Sequence, residues 1–244
     1  MSVQLPLVCD VDLLCLDAGN TIIFLDHARL ARLAQREGFA TSTRAIERAE
    51  GLSKRAHEEG TLVDFAWNGD AAPGARGWGR SVGTMLALAG APTASLPRML
   101  EAIWRDHVEY NLYSQVPEGL VAALERVRAR GVHVAVVSNS EGRLEPLFAE
   151  LGVAPVLDAV IDSAIVGVEK PDPRIFQIAL DRFDVPAERA LHLGDNFATD
   201  VLGAQAAGIR VALVDPYGHL AGRHVDVPRV SGVAEVADAI GAAK

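Results

Sequence analysis

The sequence predicts an α/β fold: an open parallel sheet with helices on both faces, joined to an all-helical subdomain. Three observations carry this. Short apolar runs rich in Val, Ile and Leu recur along the chain. Each is followed within a few residues by a helical pattern. One long interval holds helical patterns alone. The runs are continuous rather than alternating, as in strands buried on both faces. Strand, helix, strand, helix with short loops makes βαβ units and a Rossmann-like parallel sheet.

The first strand is predicted at Val11–Leu16. Residues 25–112 then break the rhythm with helical stretches at His27–Glu37, Arg44–Glu59, Arg80–Ala89 and Leu96–Tyr110, divided by a loop at Asn68–Gly77. Pro117–Arg130 resumes the pattern, with a proline suited to a first helical turn and Gly131 as its C-cap. Strands follow at Val132–Val137, Ala190–Leu193 and Val211–Val214, with a weaker one at Val160–Ile161. Helices are predicted at Leu144–Leu151, Pro173–Phe183 and Thr199–Ala207, and a short strand and an Ala-rich helix between Val225 and Lys244. Residues 1–24 and 113–244 should therefore form a discontinuous core domain, with 25–112 a helical insertion covering the sheet.

With 244 residues, 50% of them hydrophobic, the chain can bury a core without disulfides or a structural metal. Its net charge of −9 argues against nucleic acid or an anionic membrane as partner. Cys9 and Cys15 are too far apart along one strand to bridge, and read as reduced thiols. Asp10 and Asp12 interrupt any N-terminal apolar region, and no stretch reaches the roughly 18 apolar residues of a membrane span. A cytoplasmic protein is expected, and the sequence leaves room for a homodimer.

In an open parallel sheet, ligands bind beyond the carboxyl ends of the strands. Asp17 follows the first strand, Ser138-Asn139-Ser140 the second strong one, and Gly194-Asp195 the next. Lys170 lies on the loop after the weak strand. The connectivity thus converges two acids, a hydroxyl and an ammonium on one rim.

Asp17-Ala-Gly-Asn-Thr21, Ser138-Asn139, Lys170-Pro171 and Gly194-Asp195-Asn-Phe-Ala-Thr-Asp200 resemble, in order and spacing, the four motifs of the haloacid dehalogenase superfamily. The resemblance covers nearly the whole chain and is closest to the subgroup with a helical cap after the first strand, which includes phosphatases, 2-haloacid dehalogenases and phosphonatases. It implies a carboxylate nucleophile at Asp17, attack on a phosphorylated small molecule, an aspartyl phosphate and its cleavage by water. It implies Mg²⁺, a hard ion that takes oxygen ligands, held by Asp17, the Gly19 carbonyl and Asp195, with Asp200 supporting. Ser138 and the Asn139 amide would bind phosphoryl oxygens, Lys170 would neutralise nucleophile and transferring group, and Thr21 would orient the first loop. Asp200 as a mere helix N-cap is the plainer alternative.

One position departs from the pattern. The family's phosphatases carry a second aspartate two residues after the nucleophile, to protonate the leaving alkoxide and activate water. Here that residue is Gly19. General acid–base help is worth roughly 10²–10⁴ in rate, whereas a carbonyl ligand survives in glycine. Asn20, His57 or an acid of the cap could supply the missing group. The dehalogenases put a bulky aromatic at this position. The phosphonatases put a small residue there and use a cap lysine; Lys54 and His57, one helical turn apart, echo that arrangement. A non-catalytic binding protein is the remaining alternative. Arg76, Trp78 and Arg80, in a glycine-rich stretch, are candidate substrate contacts from the cap, against a plainer reading of Trp78 as cap core. Trp104 and Tyr110 read as core or interface, and His192 as a strand residue.

Overall fold

The computed structural model describes residues 5–67, 69 and 74–242. The chain divides into two compact units, Met1–Phe24 with Gln115–Lys244, and Leu25–Ser114.

In the first unit a short helix, α1 (Leu5–Val8), precedes β1 (Leu13–Leu16). β2 (Phe24–Leu25) comes where the chain passes into the second unit, whose helices are α2 (His27–Arg36), α3 (Thr43–Glu58), α4 (Ala75–Leu88) and α5 (Leu96–Glu109). β3 (Tyr113–Gln115) pairs with β2 and leads back. Then follow α6 (Leu120–Arg128), β4 (His133–Ser138), α7 (Leu144–Glu150), β5 (Ala159–Asp162), α8 (Ser163–Val166), α9 (Arg174–Phe183) and β6 (Ala190–Gly194). A π-helical turn, Phe197–Val201, runs into α10 (Leu202–Ala206), and β7 (Arg210–Val214), β8 (Arg229–Val230) and α11 (Val233–Ala242) complete the chain.

Among the described residues, six strands form one sheet in the order β5-β4-β1-β6-β7-β8. Every neighbouring pair is parallel. β1 sits in the middle, with Leu14 opposite Val134 on one side and Leu191 on the other. All four β1 side chains are buried, which is why the run reads as continuously apolar. On one face Leu13, Cys15, Ala135 and Val137 pack with Ile175, Phe176, Ala179 and Leu180 of α9. Burial pushes the Cys15 thiol up to about 12, with Lys170 pulling the other way, and both cysteines are free.

The order of strands fixes where a site can form. From β1 the chain builds outward through β4 and β5, then returns to β6 on the other flank of β1. That reversal is the topological switch point, and the crevice it opens lies at the carboxyl end of β1.

The helical unit has its own core, including Leu30, Ile46, Trp78, Val82, Leu86, Leu100, Ile103 and Trp104. Asp26 caps α2 by accepting from Arg29 N, and Ser42 caps α3 by accepting from Ala45 N. α4 begins at Ala75 rather than at the expected Arg80. The sequence reads Gly77 as loop and leaves Gly79 outside the helix, but Gly79 serves close packing: a Cβ on it would lie 1.8 Å from Trp67 Cζ3. A Cβ on Gly83 would likewise lie 2.2 Å from Phe65 Cζ. Of the expected 68–77 loop, residues 68 and 70–73 lie outside the described residues, and residues 75–77 are helical. No helix of the described residues is long and apolar enough to cross a membrane.

Candidate active site

β1 ends at Leu16, and Asp17 continues the ladder by donating its N–H to Leu193 O at 2.8 Å. The chain then turns tightly on the Ala18 carbonyl, which accepts Ile22 N and Ile23 N, both at 3.0 Å. Asn20 takes a left-handed φ of 55°, a conformation asparagine tolerates better than most residues. Thr21 inside this turn is 1% exposed, and Gly19 is half-buried, bridging Ile23.

Ser138, buried, is the last residue of β4. Asn139 follows, exposed, and its amide fixes the backbone of Lys170 from both sides: Oδ1 accepts Lys170 N at 2.7 Å and Nδ2 donates to Lys170 O at 2.9 Å. The Lys170–Pro171 peptide is cis. From this anchored backbone the side chain runs inward, and Nζ donates to Asp17 Oδ1 at 2.6 Å and to Asp200 Oδ1 at 2.5 Å.

Asp200 lies in the π-helical turn and is not its cap; Asn196 is, accepting Ala198 N and Thr199 N. Asp200 Oδ2 accepts Asn196 N at 3.0 Å, and Oδ1 faces His192 Nε2 at 3.0 Å as well as Lys170. The carboxylate reaches this position because residue 194 is glycine: a Cβ there would stand 2.2 Å from Asp200 Cγ.

Asp17, Asp195 and Asp200 are all buried, and each offers an oxygen within 4.8 Å of the others. Together with Lys170 they make three carboxylates against one ammonium. Burial pushes Asp17 up to about 7; Lys170 opposes this, and Asp200 and Asp195 add to it. Burial would also raise Asp200, but Lys170 and His192 hold it well below the usual carboxylate range. Lys170 itself, which burial would lower, is raised by Asp17 and Asp200. Burial lowers His192, against the pull of Asp200. Taking several like charges out of water is costly unless they are balanced. A dication bound to this oxygen set would balance the two excess negative charges, so the donor chemistry fits a hard ion such as Mg²⁺.

The structure thus brings together Asp17, Lys170, Asp195 and Asp200, with Ser138 and the Gly19–Thr21 turn on the same rim. Residues predicted from the helical insertion belong to the other unit. Arg76 and Arg80 are exposed on α4, Lys54 is half-buried and His57 exposed on α3, and Tyr110 is exposed beyond α5. The glycine-rich stretch is helical from Ala75, and Trp78 follows the plainer reading. Trp78 is buried in the helical core, its ring 4.9 Å from both Trp104 and His107. Two contributions escaped the sequence reading: the Asn139 side chain as a clamp on Lys170, and His192 as a partner of Asp200. The second had a signal, a polar residue in the otherwise apolar run Ala190–Leu193.

A family model described as haloacid dehalogenase-like hydrolase matches residues 11–208. Haloacid dehalogenase-like hydrolase domain-containing protein 3 of Mus musculus is 45% identical over 100 residues, covering 41% of this chain and 40% of that protein. A phosphoserine phosphatase of Thermus thermophilus is 37% identical over 118 residues, 48% of this chain and 46% of that protein. A phosphoglycolate phosphatase of Rhodospirillum rubrum is 37% identical over 108 residues, 43% of this chain and 44% of that protein. The matches span less than half the length of these relatives. Among solved structures, the HAD-hydrolase YfnB of Bacillus subtilis, crystallised with magnesium, aligns with a TM-score of 0.67 over 94% of this chain and 98% of its own, at 18% identity. A 2-haloacid dehalogenase of Pseudomonas syringae aligns at 0.58 over 95% and 99%, at 20% identity. These two likenesses bear on the fold alone. By the family match, the order of its motif residues and the fold, the chain belongs to the haloacid dehalogenase-like hydrolases.

Proposed function

We propose that this hydrolase is a Mg²⁺-dependent phosphatase of a phosphorylated small molecule, with Asp17 as nucleophile. The observation that carries the reading is the Asp17 carboxylate at the end of β1, 2.6 Å from Lys170 Nζ and within 4.8 Å of Asp195 and Asp200. An acid retained at this spot together with an oxygen-rich cluster suits phosphoryl transfer, in which one anion must attack another. The phosphatase names of two matched relatives favour the same reaction.

In this reading Asp17, Asp195 and the Gly19 carbonyl would hold the ion, with Asp200 supporting. Magnesium held there would supply positive charge that offsets the repulsion of one anion attacking another. Asp17 attacks phosphorus and the bond to the leaving oxygen breaks, giving an aspartyl phosphate and an alkoxide that takes up a proton. Water then cleaves the acyl phosphate, regenerating Asp17 and releasing phosphate. Ser138 and the Asn139 N–H bind the phosphoryl oxygens. Lys170, its backbone clamped by Asn139, offsets charge on Asp17 and on the transferring group. Gly19 contributes no proton, so esters with good leaving groups turn over best.

The test is hydrolysis of para-nitrophenyl phosphate, whose leaving group needs little protonation. Mg²⁺-dependent release of nitrophenolate is expected, abolished by EDTA and in Asp17→Asn. Gly19→Asp should raise turnover of alkyl phosphates more than of the nitrophenyl ester. No metal-dependent hydrolysis of any activated phosphate would overturn the reading in favour of a binding protein. Halide release from 2-chloropropionate without metal would overturn it in favour of a dehalogenase.

A further inference from the structure

A cavity of about 410 Å³ opens within the first unit, on the rim where the strands end. Its walls come from the turn after β1, from the segment that re-enters this unit at Gln115, from Tyr217 beyond β7, and from the start of α11. None of Asp17, Ser138, Lys170, Asp195 or Asp200 lines it. Its volume lies within the range of small-molecule pockets, roughly 300–1,000 Å³.

Three features say what it would hold. Its lining is mainly apolar, and Phe24 and Tyr217 meet edge to face across 6.1 Å, with Tyr217 44% exposed. Two carboxylates, Glu118 and Glu235, line it, and no Lys, Arg or His does. Glu235 faces the beginning of α11, where Oε2 accepts both the N–H and the hydroxyl of Ser231 at 2.9 Å. The helix start is thereby already supplied with a negative group, which disfavours an anionic ligand. Oε1 of the same carboxylate takes no part in those two bonds. The surroundings therefore suit a cation with an apolar body: charge toward Glu118 and Glu235, apolar surface against the aromatic pair.

The cavity also touches the nucleophile loop. Thr21 forms part of its wall, is 1% exposed, and its Oγ1 has no hydrogen-bond partner among the described residues. Buried hydroxyls are normally paired, and a hydroxyl oxygen can accept from an ammonium. Thr21 belongs to the turn closed on the Ala18 carbonyl, one residue past Asp17. A ligand seated here would touch the turn that follows Asp17.

We propose that this cavity is a binding site for a small organic cation, an amine bearing an aromatic or branched aliphatic body, and that its occupancy is felt at the Asp17–Ile23 turn. Because none of Asp17, Ser138, Lys170, Asp195 or Asp200 lines the cavity, the site is distinct from the place where a phosphoryl group would react.

The probe is phenethylammonium, compared with the isosteric anion phenylacetate and the neutral 2-phenylethanol. Each is titrated into the full chain while backbone amide NMR shifts are followed. Phenethylammonium should bind saturably and at least tenfold more tightly than phenylacetate, moving the amides of Gly19–Thr21 and Ser231–Glu235 together. Gly232 lines the cavity, and a Cβ on it meets nothing within 4 Å, so Gly232→Trp should fill the space and abolish binding. Should that variant not fold, the exposed Glu118→Gln should weaken phenethylammonium about threefold, the scale of a surface charge pair. Equal or tighter binding of phenylacetate, non-saturable shifts, shifts that leave the Gly19–Thr21 amides still, or binding unchanged in these variants would overturn the proposal. Amine binding without phosphate hydrolysis sinks only the proposed reaction, and hydrolysis without amine binding sinks only this site.

Discussion

Lys170 Nζ lies 2.5 Å from Asp200 Oδ1, and both side chains are cut off from solvent, at 2% and 1% exposure. The same ammonium reaches Asp17, so a single cation ties the tip of β1 to the turn after β6. Removing the ammonium from this group leaves two carboxylates buried without their shared partner, which costs far more than the net worth of the pairs.

Lys170→Met should therefore cost about 3–5 kcal/mol in urea denaturation at pH 8. Lys170 is raised above its ordinary value, so its stabilising contribution is fully present at pH 8 and is lost only in strongly alkaline solution. In the variant the deficit should shrink on lowering the pH to 5, as Asp17 and Asp200 take up protons. Equal stability of variant and parent at pH 8 would contradict the buried bridge.

Asp17→Asn should remove activity yet not stability. Burial pushes the Asp17 carboxyl up to about 7 from an ordinary 3.8. The folded state then binds more protons than the unfolded state between those values, and stability falls as pH rises from about 4 to about 7. The asparagine variant lacks that loss. Without added metal, the two proteins should match near pH 4, and the variant should gain on the parent toward pH 8. A parent curve flat over this interval relative to the variant would refute the shift.

Magnesium should stabilise the parent protein. A ligand at 100 times its Kd adds about 2.7 kcal/mol, which for a chain of this size is about 5–10 °C in melting temperature. Asp195→Asn should reduce the shift strongly, since Asp195 is one of the three clustered carboxylates. The readout is the melt, independent of turnover. An unchanged magnesium shift in Asp195→Asn would remove that residue from the ion site.

Gly194→Ala should be damaging far beyond the size of a methyl group. The added carbon would stand 2.2 Å from Asp200 Cγ, so Asp200 must move off Lys170 and His192. A loss of about 2–4 kcal/mol is expected, in the range of overpacked and unpaired buried groups, together with loss of the magnesium shift. Gly232→Ala, where a Cβ meets nothing within 4 Å, is the control and should leave the melt within about 0.5 kcal/mol of the parent.

Strand positions were legible because burial on both faces forces continuous apolar runs. The core strands fall on the predicted runs, and the weak one at Val160–Ile161 is β5, a sheet-edge strand of four residues. β2 and β3 were not legible: they are two and three residues long and leave no periodic signal. α4 starts at Ala75 and not at Arg80, where the sequence predicts it, because glycine in a sequence signals chain freedom as readily as close packing. The difference there is the Trp67 ring lying on Gly79, a contact made from 12 residues away that no local pattern records.

The sequence by itself determined the α/β class, the helical insertion and the chain positions at which polar groups end apolar strands, because hydrophobic periodicity and turn chemistry act over a few neighbouring residues. Only the tertiary structure decided that one ammonium bridges two acids, that Asn139 holds its backbone, that His192 faces Asp200 and that Gly194 makes room for it. Those facts depend on residues 6 to 153 positions apart meeting at close range, and meetings of that kind are set by the packing of strands and helices rather than by any local pattern of chain.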